Sequence, residues 1–279
     1  MSALRNFPPA LQPIISHGFL EREFEAALQS RPNFRMVAER VRVAGKLGET
    51  QDVDGVPVCM THYACTTNLN LVTSRVGIAS QFLLNAAING EQAARSLDEL
   101  ARNALDKASA VETHDGALTI ANLLNAVFFL RSNGVSEIDG LYNCYLDPVS
   151  ARHLFSDNDF RAIFSGARSA NQVFRKGMTN DFLGLRFIPI SEYFGKPDVR
   201  RVWVSGAGAV REYVPEDVLA LGCGAEDQLQ HVVDDVVMTT REPVDRLQQF
   251  IAQGWYYVGE FQPVHCRAIA MDFAREISQ

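Results

Sequence analysis

A chain of 279 residues, 47% of them apolar, buries roughly 75% of its unfolded surface on folding, enough for one large or two small domains without metals or disulfides. Its five cysteines, Cys59, Cys65, Cys144, Cys223 and Cys266, form no CxxC pair and no even framework, which excludes a zinc ribbon or redox motif and fits a reduced protein made in a cytosol. The formal net charge of −7 argues against a chain that wraps nucleic acid by neutralising phosphates.

Between Met1 and Phe19 the one basic side chain is Arg5, and Pro8, Pro9 and Pro13 interrupt the apolar residues, so neither a signal peptide nor a membrane span is expected. Residues 1–35 hold one short helical stretch near Glu21 to Leu28 and read as an arm that packs on a neighbour. From Met36 to Thr73 the pattern is strand-like and irregular, with Val41-Arg42-Val43, a turn at Lys46-Leu47-Gly48 and the β-branched run Val56 to Thr61. So few core-sized residues over so long a segment predict a projecting loop. In Gln92 to Val111, Leu97, Leu100, Ala101, Ala104, Leu105 and Ala108 fall on one stripe and predict a long amphipathic helix. A second, more apolar helix is expected from Thr119 to Arg131, stopped by Asn133-Gly134.

Leu141 to Leu146 reads as a strand, and Asp147-Pro148 as an N-cap followed by proline at the first helical position. Helix Val149 to Phe155 and a short element Phe160 to Phe164 follow, with a loop from Gly166. Further strands are expected at Leu183 to Ile190, Arg201 to Val204 and Val210 to Val214, the last two joined by a turn at Ser205-Gly206-Ala207-Gly208-Ala209. The final third predicts strand Asp235 to Thr240, helix Val244 to Gln253 capped by Gly254, and strand Trp255 to Phe261. The fold class is α+β, with no regular βαβ alternation.

Motifs that carry chemistry are weak. Ser205 to Ala209 looks like a dinucleotide-binding turn, but Arg211 stands where the third glycine belongs and only about 70 residues follow. Cys59, His62 and Cys65 offer soft and imidazole ligands for zinc, yet on a strand His62 points away from the two cysteines. The histidines His17, His62, His114, His153, His231 and His265 are scattered without a nucleophile elbow. Cys223, beside Glu226 and Asp227, lacks the positive surroundings of a reactive thiolate. Asp234-Asp235 reads as a solvated pair at a strand end. No catalytic, cofactor-binding or metal-binding residue is assigned. Only Lys46, Lys107, Lys176 and Lys196 are lysines, leaving 22 arginines among 26 cations. That bias suits contacts between subunits and equally follows from GC-rich codons.

The order of elements is more informative. Tyr142 to Pro148, Ala151 to Leu154 and Asp157 to Phe160, then Phe182 to Pro189, then Asp235 to Val237 leading through Arg241 to Gln249 and Gln253 to Gly259, together resemble tailed-bacteriophage major capsid proteins of the Hong Kong 97-like fold. The resemblance covers about residues 80–262. It implies an N-terminal arm over 1–35, an extended loop over 36–75 lying on an adjacent subunit, and peripheral and axial domains interleaved within 76–279, with Gln92 to Val111 as the spine helix. It further implies a non-enzymatic shell protein that forms pentamers and hexamers around double-stranded DNA without sequence-specific binding. Scaffolding, portal and decoration proteins are possible partners, and no cofactor or membrane is involved. Synthesis would be in the host bacterial cytoplasm and the final location the virion. Some relatives crosslink through lysine and asparagine, and Lys46 lies in that region. Encapsulin nanocompartments share the fold and are the nearest alternative; a nucleotide-dependent enzyme built on Ser205 to Ala209 is the distant one. An arm and loop that need covering are satisfied for every copy by closed symmetric assembly, and small interfaces gain strength by multivalency.

Overall fold

Hydrophobic alternation and helical periodicity build two six-stranded sheets, a two-stranded hairpin and six helices among the residues that the computed structural model describes, which are 7–30, 34–44, 50–53, 55–71, 77–167, 181–190, 199–219, 228–243 and 249–274. In chain order these are α1 (Gln12–Ser16), α2 (Phe19–Gln29), a 3-10 turn (Arg35–Val37), β1 (Glu39–Val43), β2 (Thr50–Val53), β3 (Val56–Cys59), β4 (Thr61–Asn70), α3 (Ile78–Ala108), β5 (Ser109–His114), α4 (Ile120–Ser132), β6 (Tyr142–Leu146), α5 (Pro148–Ser156), α6 (Asn158–Ala167), β7 (Asp181–Phe182), β8 (Leu185–Pro189), β9 (Val199–Ser205), β10 (Val210–Pro215), β11 (Gln228–Val233), β12 (Val236–Arg241), β13 (Phe250–Pro263) and β14 (Ala268–Ala274). Two compact units are interleaved in sequence, one drawn from Met1–Met36, Arg40–Ala101 and Glu212–Gln262, the other from Val37–Glu39, Arg102–Arg211 and Pro263–Gln279. None of the described helices is long and apolar enough to cross a membrane.

The first unit is organised by β13. Its sheet runs β1-β10-β13-β12-β11, with β4 also paired to β13. Strand β4 runs antiparallel to β13 from Phe250↔Asn70 to Gly259↔Thr61, and β12 from Val236↔Tyr257 to Arg241↔Ala252. Because side chains alternate with period two, Ile251, Trp255 and Tyr257 share one face and pack with Leu20, Phe24 and Leu28 of α2 and Phe82, Ala86, Ala93 and Leu97 of α3. Tyr256 and Val258 point the other way, onto Val43, Val58, Met60, Tyr213 and Val237.

Several sequence expectations are corrected here. Residues 7–30 of the expected arm bury Phe7, Leu11, Ile15, Leu20, Phe24 and Leu28 in their own unit's core, because α2 is amphipathic and α3 offers it a small-residue face. The expected loop over 36–75 also folds back: β1 and β4 are strands of the central sheet, and Val43, Val58, Met60 and Leu69 are buried. Among the described residues of this segment, hairpin β2–β3 is the one strand pair outside the six-stranded sheets. The long helix begins at Ile78 rather than Gln92 and stops at Ala108, since Ser109–His114 pairs in parallel with β14. Residues 250–253, expected in a helix, lie in β13, while 244–248 lie outside the described residues. Gly254 is no helix cap. A Cβ there would meet the Cys65 carbonyl oxygen at 2.5 Å and Thr66 Cγ2 at 2.7 Å, so glycine lets β4 approach. Gly166 sits within α6, Leu183-Gly184 is the turn before β8, and strands β5, β11 and β14 were not expected.

The second unit carries the mixed sheet β5-β14-β9-β6-β8-β7, parallel at β14–β5 and β6–β8. Leu123, Ala126, Val127 and Leu130 of α4 pack on Tyr142, Cys144, Leu146, Val202, Val204, Ile269 and Met271. Asp147 caps α5 as expected, accepting from Val149 N and Ser150 N at 3.3 and 3.2 Å. Thr119 gives α4 no side-chain cap. Its place is taken by Asp157, which accepts from Ile120 N at 2.9 Å with one oxygen and from Asp159 N at 3.1 Å with the other. Asp157 thus serves the first turns of α4 and α6 together. Asp157→Ala should therefore lower unfolding free energy by about 2 kcal/mol, the upper part of the range for one lost cap, read as a shift in urea midpoint at unchanged slope.

Candidate functional site

In the first unit the polar chemistry converges on Glu212, a fully buried β10 side chain. Arg35 Nε donates to Glu212 Oε1 at 2.8 Å, Arg40 Nε to Oε2 at 3.1 Å and the Tyr257 hydroxyl to Oε1 at 3.0 Å. The Arg35 guanidinium also lies over the Tyr257 ring, 5.4 Å from its centroid, and Arg35 Nη2 donates to the Asp234 carbonyl at 2.6 Å. Asp98 on α3 accepts from the backbone N–H of Phe34 and of Arg35. Burial, and then the Glu212 carboxylate, push the Tyr257 phenol well above its ordinary value, so it stays a neutral donor. Burial opposes the charge on Arg40, but Glu212, Asp234 and Asp235 outweigh it and hold that guanidinium above its ordinary value.

Asp234 and Asp235 are the two central residues of the β11–β12 hairpin, flanked by the pair Val233↔Val236, and both have positive φ, 50° and 63°. This is the turn geometry whose twist matches the flanking strands. The expectation of a solvated pair is corrected: Asp235 is buried and ion-pairs with Arg42 at 2.9 Å, while Asp234 remains exposed.

In the second unit, Arg201 grips Asp272 with two parallel hydrogen bonds of 2.6 and 2.7 Å and reaches Asp106 at 3.2 Å, while Trp203 Nε1 donates to the same Asp106 oxygen at 2.7 Å. The hydrogen bonds to Asp272, working against burial, raise the Arg201 guanidinium above its ordinary value. Arg200 pairs with Asp147 at 2.8 Å. These are tight ion-pair clamps with partly exposed side chains.

The turn at Ser205 to Ala209 is present, but it joins strands of two different sheets and leads into β10 rather than a helix. Gly206 N donates to the Arg267 carbonyl at 3.0 Å and Ala207 N to the Ser136 carbonyl at 2.9 Å, so these amides are not available to cradle a phosphate. A Cβ on Gly206 would collide with the Val135 side chain and sit 2.8 Å from Ser136 O. Its glycine serves close backbone packing. The zinc triad is likewise dispersed: Cys65 packs at the helix-facing core, whereas His62 stacks on Tyr256 on the opposite face. Among the described residues no group of three or more His, Cys, Asp or Glu could hold a metal. Burial pushes the Cys144 thiol far above its ordinary value, and Cys266 sits exposed in a turn. Cys223 and Lys46 lie outside the described residues.

No protein-family model and no curated protein sequence matches the chain. Solved structures do. The acid-stable capsid of Helicobacter pylori bacteriophage KHP30 aligns over 88% of this chain and 91% of its own at TM-score 0.56 and 9% identity. The chain has the Hong Kong 97-like capsid fold. The holo-SrpI encapsulin complex of Synechococcus elongatus PCC 7942 aligns over 88% of both chains at TM-score 0.56 and 9% identity. A virus-like particle from Pyrococcus furiosus aligns over 90% of this chain and 97% of its own at TM-score 0.54 and 10% identity. The Hong Kong 97-like fold here is therefore α+β and runs through nearly the whole chain, including segments that were expected to project from it.

Two outcomes follow from the site geometry. Glu212→Ala leaves Arg35, itself only 7% exposed, as an uncompensated buried charge and should cost about 3–5 kcal/mol of stability, measured by urea unfolding. Gly206→Ala should overpack the turn and cost about 1–3 kcal/mol, while NAD or ATP leaves the thermal midpoint of the unaltered protein unchanged.

Proposed function

We propose that this chain is a non-catalytic structural protein that self-assembles into a closed shell, the major capsid protein of a tailed bacteriophage. The observation that carries the reading is the fold, matched over nine-tenths of the chain to proteins whose solved forms are a capsid, an encapsulin complex and a virus-like particle. In this reading the unit containing most of α3 and β13 is the peripheral domain, and the unit built on α4 and the mixed sheet is the axial domain. Copies associate as pentamers and hexamers around double-stranded DNA. A chain of net charge −7 encloses that polymer without gripping its phosphates. Scaffolding, portal and decoration proteins are the partners that such a shell would take, and assembly would begin in the host bacterial cytoplasm and end in the virion.

An encapsulin-type compartment is the second reading, favoured by the encapsulin match at a TM-score equal to that of the phage capsid. Expression of the full chain, followed by size exclusion and negative-stain microscopy, should give capsomers or closed shells; a monomer that never assembles, even with phage lysate factors, overturns the shell reading. Shells isolated from the producing cell should hold nuclease-protected double-stranded DNA. An enclosed enzyme with no DNA would instead establish the compartment.

A further inference from the structure

The edges of the two large sheets differ in how they are guarded. Exposed strand edges invite pairing with other chains, and proteins usually blunt them with charge, proline or a covering element. Edge strand β5 carries Glu112, β7 carries Asp181, and β1 carries Glu39, Arg40 and Arg42. Strand β4 has none of these. Among the described residues β13 is its one paired neighbour, and its ten residues, Thr61–Asn70, include no Asp, Glu, Lys, Arg or Pro. The uncharged run in fact extends from Gly55 to Ser74, in a chain that is 21% charged.

We infer that the free edge of β4 is an interaction surface for a second copy of this chain, whose own β4 adds to it antiparallel about a two-fold axis. Self-pairing sets each residue near the axis opposite its own symmetry mate, so any charged side chain there would face its like. A strand with no charge along its whole length meets that requirement. Length agrees as well, since with the axis at Cys65 the ten-residue β4 pairs with its symmetry mate over about nine residues, Thr61 opposite Leu69, whereas β11, the other uncharged edge, is only six residues long. The outward face of β4 is formed by His62, Ala64, Thr66 and Asn68, all exposed. This inference rests on the shell reading and deepens it by naming one contact between copies.

The test uses the full chain with Ala64, exposed near the middle of β4 and opposite Tyr256. Ala64→Glu and Ala64→Lys should each weaken self-association roughly fivefold in sedimentation velocity, because two like charges then lie diagonally across the axis on the same face, and an equimolar mixture of the two should restore it. Far-UV circular dichroism checks that both variants fold. If either does not, amide exchange of residues 61–70 in the unaltered protein decides, with protection expected to rise on association. Shells that form equally well from both variants would overturn the β4 contact and leave the shell reading standing. Weakening without rescue in the mixture would also overturn it, pointing to pairing of β4 with a different edge. Dimers that obey the charge rule but never close into shells would support the contact and sink the shell reading, and a protein that stays monomeric overturns both.

Discussion

Strand β13 must be apolar on both faces, because it is hydrogen-bonded into the middle of its sheet while helices cover one side and a second cluster covers the other. Ile251, Trp255 and Tyr257 serve the helical side, and Tyr256 and Val258 the opposite one. Burial on both sides explains why β4, β10 and β12 can all use it as a template, and why the segments before α3 are drawn into the body of the first unit. A strand of fourteen residues that is buried on both faces from Gln253 to Gly259 is among the largest single contributors of apolar burial that a sheet can provide. Its removal would leave both clusters without their shared wall.

Within each unit the charged residues form tight clamps. Glu212 is held by two guanidiniums and a phenol, and Asp272 by a two-pronged arginine. Arginine's planar fork suits such pairing better than the point charge of lysine, which gives the chain's arginine bias a structural use inside each unit. Buried pairs of this kind add little net stability but are costly to break. The Glu212 network fixes how Arg35, the β11–β12 hairpin and β10 meet.

The legible elements were those with strong local signals. Helix α4, strand β6 and helix α5 fall within about a residue of expectation, because an apolar stripe, a short aromatic and apolar run and an Asp-Pro cap each speak from neighbouring residues. The first half of α3 was hidden because its pattern is inverted: Asn85 and Asn89 are buried, while Leu84 and Ile88 are 52% and 45% exposed. The end of the supposed helix before Gly254 was ambiguous for a related reason. Short apolar runs fit either period, and only the pairing with β4 decides. The Glu212 network had no sequence signal at all, its partners lying more than 170 residues apart for the two arginines.

By itself the sequence determined the α+β class, the caps and turns, the absence of a recognisable catalytic motif and, through the order of its elements, the capsid-like fold. Those follow from local chemistry and from patterns that survive even at about a tenth of identical residues. Tertiary structure decided which segments stay with their own core. Residues 1–35 and 36–75 look incomplete when read alone, since their apolar side chains are few and interrupted, but α3 and β13 supply from far along the chain the surfaces that bury residues of α1, α2, β1 and β4. Only pairing across that distance reveals that β4 is a sheet strand with an edge open among the described residues, because an edge is a property of neighbours and not of the residues that form it.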